Sequence, residues 1–437
     1  MKAGFFNMNR RGAIFAWMIV LSRLLAGTIA AAGEAKEGPL AIHQIAVDPG
    51  HPQLIYAATS NYGILKSADG GATWNLSNQG LESYTHRAVA INPLYPDIVY
   101  VGSWSGGVSK SVDRGSHWTA VNDGLGDTAI EDLALDPSNP ETLYALTMSG
   151  VFKSPDGGTS WMAYSKGLPI IQIENFECLL VLPSGPTELF LGTSQGLFKR
   201  ARNASAWEAI SAVAKATHIT SLAYEPKSRL LYAGTIMHGL LRSRDGGNNW
   251  APLSGGIEKR WVSDLALDPQ RPGVLYASTR GTGVFRSDDG GATWREMNNG
   301  LPVKDIRSLA IDPMNPEIVY AGTTINGLLK TRNGGEVWVP LKGYPYLTFA
   351  EIVASISIAD RPRAHPPSLP VPPEFSKCNQ CHGWADPALN MKQTYWRVPP
   401  NRRDWSVTVA RMGPRARLTP TETKRIVEFL TAYTQSR

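Results

Sequence analysis

The chain has 437 residues, 43% of them hydrophobic, enough to bury one large core or a large domain beside a small one. It holds 42 Gly, 31 Pro and 13 Trp, which favours many turns and strands over long helices. The formal net charge of +6 does not point to nucleic acid, because it is segregated. From Arg361 onward there are 13 Lys/Arg against 5 Asp/Glu, and the first 33 residues carry four cations, so the long middle stretch is acidic.

Residues 1–33 have the pattern of an export signal. Lys2, Arg10 and Arg11 form a positive start, AIFAWMIVL (13–21) an apolar run, and Ala30, Ala31 and Ala32 a small-residue cleavage region. Arg23 interrupts the apolar stretch and argues against a permanent membrane anchor. Arg10-Arg11 raises a twin-arginine route, which the flanking Asn9 and Gly12 match poorly, and Met8 offers a second start with a shorter signal. The expected location is the periplasm.

From 40 to 360 one pattern repeats. An eight-residue box ending in Trp reads SADGGATW (67–74), SVDRGSHW (111–118), SPDGGTSW (154–161), SRDGGNNW (243–250), SDDGGATW (287–294) and TRNGGEVW (331–338), with a decayed copy RARNASAW at 200–207. Its tryptophans, at 74, 118, 161, 207, 250, 294 and 338, are spaced by 44, 43, 46, 43, 44 and 44 residues. A fixed period in the forties with several short strands per unit predicts a mainly β fold, a seven-bladed β-propeller with four-stranded blades. In each unit a first strand such as IEDLALD (130–136) ends at an Asp-Pro turn, a second reads like VYAGT (319–323), a third runs into the box and a fourth leaves its Trp.

Within the box, Asp is suited to accept hydrogen bonds from amides of its own turn, Gly to a positive φ, and Trp to plug the space between blades. These residues resemble the Asp-box, or BNR, repeat, which implies a structural hairpin at the propeller's periphery and not a catalytic or sugar-binding set. Seven regular units of this length resemble the photosystem II assembly and stability factor family over about 310 residues. That resemblance implies the fold; sialidases, sortilin-type receptors and xyloglucanases carry the repeat too. The Arg-Ile-Pro motif of sialidases is missing, and seven regular blades do not suit their six.

Aligned on the Asp-Pro turn, one first-strand position reads His43, Arg87, Glu131, Glu177, Thr220, Ser263 and Arg307. The next reads Gln44, Ala88, Asp132, Cys178, Ser221, Asp264 and Ser308, and the one after is uniformly apolar. This mixed polar ring is expected at the mouth of the central channel, either as a hydrated opening or as a docking surface aided by Trp104 and Trp261. Histidines 43, 51, 86, 117, 218 and 238 show no metal-ligand spacing. Cys178 is expected to be a buried, inert thiol.

Residues 351–359 (EIVASISIA) could form one more strand, and 361–373, with six prolines, read as a stiff linker of up to about 40 Å. The remaining 374–437 contain Cys378-Asn-Gln-Cys381-His382, the spacing of a c-type haem attachment site, with a chance match or a lone redox Cys-x-x-Cys as the plainer alternatives. Two thiols a helical turn apart can form thioethers to one porphyrin, and His382 then lies under the iron as proximal ligand. Thr419-Pro420-Thr421-Glu422 is a helix start, and Ile426, Val427, Phe429, Leu430 and Tyr433 make its apolar stripe. The segment resembles a small all-α class I cytochrome c domain. That resemblance implies Met412, in Val-Ala-Arg-Met-Gly-Pro, as distal iron ligand; Met391, nine residues after His382, is the alternative with little chain to pass round the porphyrin. His/Met ligation suits electron transfer. The expectation is therefore an electron carrier with one covalent haem c, a redox protein or membrane redox complex as partner, and the propeller as platform. The alternatives are a propeller oxidoreductase or glycan-acting enzyme, and an assembly factor.

Overall fold

A computed structural model describes residues 40–169, 176–183, 187–201, 203–210 and 217–344. The export signal, the 351–359 segment, the linker, Cys378, Cys381, His382, Met391 and Met412 lie outside the described residues. The chain folds into seven four-stranded antiparallel sheets, each built from strands consecutive in sequence. They are the seven blades of a propeller. Blade 1 comprises Ile42–Val47, Ile55–Thr59, Ile64–Ser67 and Asn75–Leu76. The inner strands of blades 2 to 7 are His86–Ile91, Ile130–Asp136, Phe176–Val181, Ile219–Glu225, Val262–Leu267 and Ile306–Ile311. The seventh sheet has its fourth strand at Val339–Pro340, so it reaches four strands without residues 351–359.

A single blade cannot bury both of its faces, so the core lies between blades. Seven apolar clusters result, each joining adjacent blades; Tyr56, Ile64, Val89, Val99, Val101 and Trp118 unite blades 1 and 2, for example. The box tryptophans sit in these seams, with Trp74, Trp118, Trp161, Trp207, Trp250 and Trp338 buried. The indole N–H of Trp118 donates to the Ser77 carbonyl of the preceding blade at 2.8 Å, and Trp161, Trp207 and Trp338 do likewise to Val121, Tyr164 and Met297.

The box folds as its residue types predict. Asp69 Oδ1 accepts from the Thr73 amide at 2.9 Å, and the Ser67 hydroxyl donates to the same carboxylate at 2.8 Å. Asp113, Asp156, Asp245 and Asp289 repeat this, and Asn333 substitutes for Asp in the last box. Hydrogen bonds from Thr73, Asn249 and Thr293 hold the carboxyls of Asp69, Asp245 and Asp289 down to about 2.

In the six clear boxes the fourth residue adopts the left-handed conformation: Gly70 has φ 69°, and Arg114 takes φ 58° where the other five use Gly. In five boxes its carbonyl is held by two side chains of the preceding blade. Arg114 O accepts from Tyr56 Oη at 2.8 Å and Lys66 Nζ at 2.6 Å, and Gly157 O from Tyr100 and Lys110. Gly290 O is bound by Tyr232 and Arg242, and Gly334 O by Tyr276 and Arg286. The same pair closes the ring: Tyr320 and Lys330 of blade 7 reach Gly70 O of blade 1 at 3.0 and 2.6 Å. Gly322 serves that closure too, since a Cβ there would lie 2.6 Å from Ile42 Cγ2.

Tyr320→Phe should therefore cost about 1 kcal/mol of stability, and Lys330→Met about 1.5–3 kcal/mol because its bond is charge-assisted. Urea unfolding of each variant checks the order; equal and negligible losses would show that the closing seam does not depend on this carbonyl.

Candidate functional site: the channel mouth

Each inner strand carries one irregularity at the same place. The pairing of blade 1 jumps from Ile42↔Thr59 to Gln44↔Ala58, leaving His43 as the extra residue of a β-bulge. Equivalent jumps single out Arg87, Glu131, Glu177, Thr220, Ser263 and Arg307. The first polar ring read from the sequence is thus a ring of bulge residues. Each stands near the start of its inner strand, beside the end of the second strand, and so at the end of the channel opposite the Asp-boxes. The loops joining second to third strands meet this end. A hydroxyl closes each: Thr59 Oγ1 donates to Gly63 O at 2.9 Å, and Thr147, Thr193, Thr235, Thr279 and Thr323 repeat the bond.

The second ring position works inward. The inner strand is the edge of its sheet, so its channel-side amides lack ladder partners. Gln44 Oε1 accepts from the Val89 amide of the next blade at 2.6 Å. Asp132 bridges its own Leu133 amide and Leu179 of blade 4 at 2.8 and 2.9 Å, and Asp264 bridges Leu265 and Leu309 of blade 7 at 2.7 and 2.8 Å. These side chains are struts between inner strands. Burial pushes the Asp132 carboxyl up to about 7 and Asp264 to about 6, against the opposing pull of those amide bonds. Cys178 lies on the inner strand of blade 4, half-buried where the sequence suggested full burial, and desolvation raises its thiol well above the usual range, followed by the neighbouring Asp132 charge. A protonated thiol is a poor nucleophile, which agrees with an inert residue.

The bulge residues are not equivalent electrically. Arg87 Nη1 pairs with Glu131 at 2.5 Å and its guanidinium lies 3.8 Å from the centre of the Trp104 ring. Arg307 Nη1 donates to His43 Nδ1 at 2.6 Å, and His43 Nε2 contacts Ser60 Oγ at 2.6 Å. Arg280, from the second-to-third-strand loop of blade 6, pairs with Asp305 at 3.1 Å and lies 5.6 Å from the Trp261 ring centre. Across the mouth, Glu177 pairs with His218 at 2.7 Å, and Thr220 and Ser263 donate to the Val262 and Ile306 carbonyls at 2.5 Å. One side, over blades 6, 7, 1 and 2, is therefore basic and aromatic; the side over blades 3 and 4 is acidic. Trp104 and Trp261 both belong to this end, at its basic side. Inner-strand alignment passes over Arg280, Asp305 and His218, which stand in loops; the recurring second-strand Ser/Thr two residues before the loop tip is the signal that would have led to Arg280.

Among known proteins, no family model matches the chain and no curated protein matches it. Solved structures do. The GH74 enzyme of Niastella koreensis aligns with a TM-score of 0.59 at 19% identity over 70% of this chain and 54% of that one. A YCF48 protein bound to a D1 peptide aligns with a TM-score of 0.53 at 18% identity over 67% of this chain and 93% of that one. YCF48 from Cyanidioschyzon merolae gives 0.52 at 16% over 69% and 98%. The chain thus spans about half the length of the GH74 enzyme and nearly the whole of the YCF48 proteins. At these identities the likeness defines the fold: a mainly β, seven-bladed propeller built on Asp-box repeats.

The strut carboxyls give the mouth a pH signature. The fold holds Asp132 and Asp264 above their unfolded value of about 3.9, so their contribution is full below that pH and is lost as pH rises towards 7 and 6. Asp132→Asn should gain on the parent by about 2–3 kcal/mol between pH 5 and pH 8. Urea midpoints of both proteins at the two pH values check this, and a pH-independent difference would contradict it.

Proposed function

We propose that this protein is an exported electron-transfer protein in which a propeller docks a partner and a C-terminal segment carries one covalent haem c. The observation that carries the redox half is Cys378-Asn-Gln-Cys381-His382, which contains two of the three cysteines of the chain. Those residues lie outside the described structure, so this half rests on sequence. Cys378 and Cys381 would hold the porphyrin and His382 the iron, with Met412 as the distal ligand and Met391 as its rival. Bound there, the group supplies one-electron chemistry at a potential raised by Met/His ligation.

The docking half is supported by the asymmetric channel mouth. Arginines, two indole rings and exposed apolar loop residues, Trp261 at 43%, Met237 at 70% and Ile325 at 54%, gather at the end where the bulges stand. Arginine and tryptophan are the side chains most enriched among residues that dominate binding. The full-length likeness to YCF48, one structure of which holds a peptide, favours a protein partner and keeps an assembly role for a membrane redox complex as the second reading. Glycan cleavage has less support. The mouth carboxylates Glu131 and Glu177 are both held in pairs with basic side chains, Arg87 and His218.

The purified full chain should show a covalently bound haem with a low-spin six-coordinate spectrum and a reversible redox couple. Met412→Ala should convert it to a high-spin form, and Cys381→Ala should lose covalent attachment. A chain carrying no haem after expression with the haem-attachment machinery would overturn the redox half. Haem reduction by a small substrate without an added dehydrogenase would replace the carrier with an enzyme.

A further inference from the structure

The basic side of the mouth is incomplete as it stands. Arg87, Arg280 and Arg307 come from blades 2, 6 and 7 and lie within electrostatic reach of one another and of His43. Glu131 neutralises Arg87 and Asp305 neutralises Arg280. Arg307 makes no direct ion pair among the described residues, and Asp305 acts on it only from a distance; its side-chain hydrogen bond is to the His43 imidazole at 2.6 Å. A guanidinium can only donate, so His43 Nδ1 is the acceptor there. The ring is then neutral, with its proton on Nε2 towards Ser60 Oγ. The Nε groups of all three arginines are buried without an acceptor.

Three guanidiniums against two carboxylates leave one positive charge. A half-buried cation without a direct ion pair is costly, and so is each orphaned donor. Burial and the two neighbouring arginines accordingly press Arg307 down to about 10, and burial with Arg307 presses His43 down to about 3. A bound anion removes these penalties together.

We propose that Arg87, Arg280 and Arg307 form a binding site for a single organic carboxylate, whose apolar body lies against Trp104 and Trp261. The net charge of +1 matches a monoanion better than a phosphate dianion. The planar fork of arginine suits a carboxylate with two parallel bonds. The exposed Trp261 indole offers apolar surface for carbon, at the same end as Trp104 with Arg87 stacked on its ring, and a bare inorganic ion cannot use it. This rests on the reading of the bulge ring as the ligand-facing end, and is independent of the haem.

The test is isothermal titration of the full chain at pH 7 and low salt with sodium benzoate, inorganic phosphate, a tripeptide ending in a free phenylalanine carboxylate, and the same tripeptide amidated. Benzoate should bind one per chain, and Arg307→Gln should weaken it by about tenfold or more. The melting temperature of that variant should stay level or rise, since an uncompensated cation is removed; a residue serving only structure would lower it. Tighter binding of the free peptide, lost on amidation, would assign the carboxylate to a chain terminus, and tighter binding of benzoate to a free acid. Phosphate binding more tightly than either carboxylate, or benzoate binding unchanged in Arg307→Gln, would overturn the proposal. Partner docking that is abolished by Trp261→Ala but indifferent to Arg307→Gln would leave the docking reading standing and remove the carboxylate site.

Discussion

The propeller depends on the packed seams between its blades, and in five of them one Asp-box carbonyl carries the stitch. The box holds its fourth residue in a left-handed turn, which aims that carbonyl at the preceding blade, where a tyrosine and a Lys or Arg close on it. Each such bond is worth only about 1 kcal/mol net, and more where the donor is charged. Repetition makes them count, because every blade leaves both faces unburied until its neighbours arrive. At the last seam the bonds from Tyr320 and Lys330 to Gly70 link residues 250 and 260 apart in sequence. Among the described residues no strand from one end of the chain completes a sheet at the other, so closure rests on the backbone bridge of Leu40 to Asn326, on these side chains and on the packing of Ile42, Leu328 and Trp74 around them.

A ring held at its periphery leaves its centre free to vary. Six of the seven boxes are alike because they perform one task, whereas the bulge positions range from Glu to Arg. Near the axis the common requirement is only that channel-side amides find acceptors, and Gln44, Asp132 and Asp264 meet it in three blades. The bulge lifts the preceding side chain clear of this strut layer. Rigidity at the rim and variety at the mouth are thus two results of one arrangement, and the mouth is where unpaired charge accumulates.

Where the repeat has decayed, the physics of the seam shows what was essential. Blade 4 has Phe190 where five other blades use the bonding tyrosine, and it packs edge-on to Trp250 instead, at 6.5 Å and 78°. Arg200, in the degenerate fourth box, lies 3.4 Å from the Tyr164 ring centre and donates to the Tyr164 carbonyl, beside Trp207. Apolar contact and the tryptophan persist when the turn chemistry is lost. Burial therefore does most to hold the seam together, and the stitch to the carbonyl sets its register.

Blade number, strand order, box chemistry and the inner polar ring were all legible in the sequence, because each arises from a local pattern repeated seven times. Periodicity multiplies a weak signal, and turn residues act on their immediate neighbours. The haem motif is likewise local, and it stands on sequence alone. Only the tertiary structure decided that the ring residues are bulges, that Tyr56 and Lys66 share a carbonyl in another blade, and that Arg280 joins Arg87 and Arg307 around a neutral His43. These facts depend on distances between residues 25 to 264 positions apart, which no local pattern encodes. A side chain's charge is written in the chain, but its counter-ion, or the lack of one, exists only after the ring has closed.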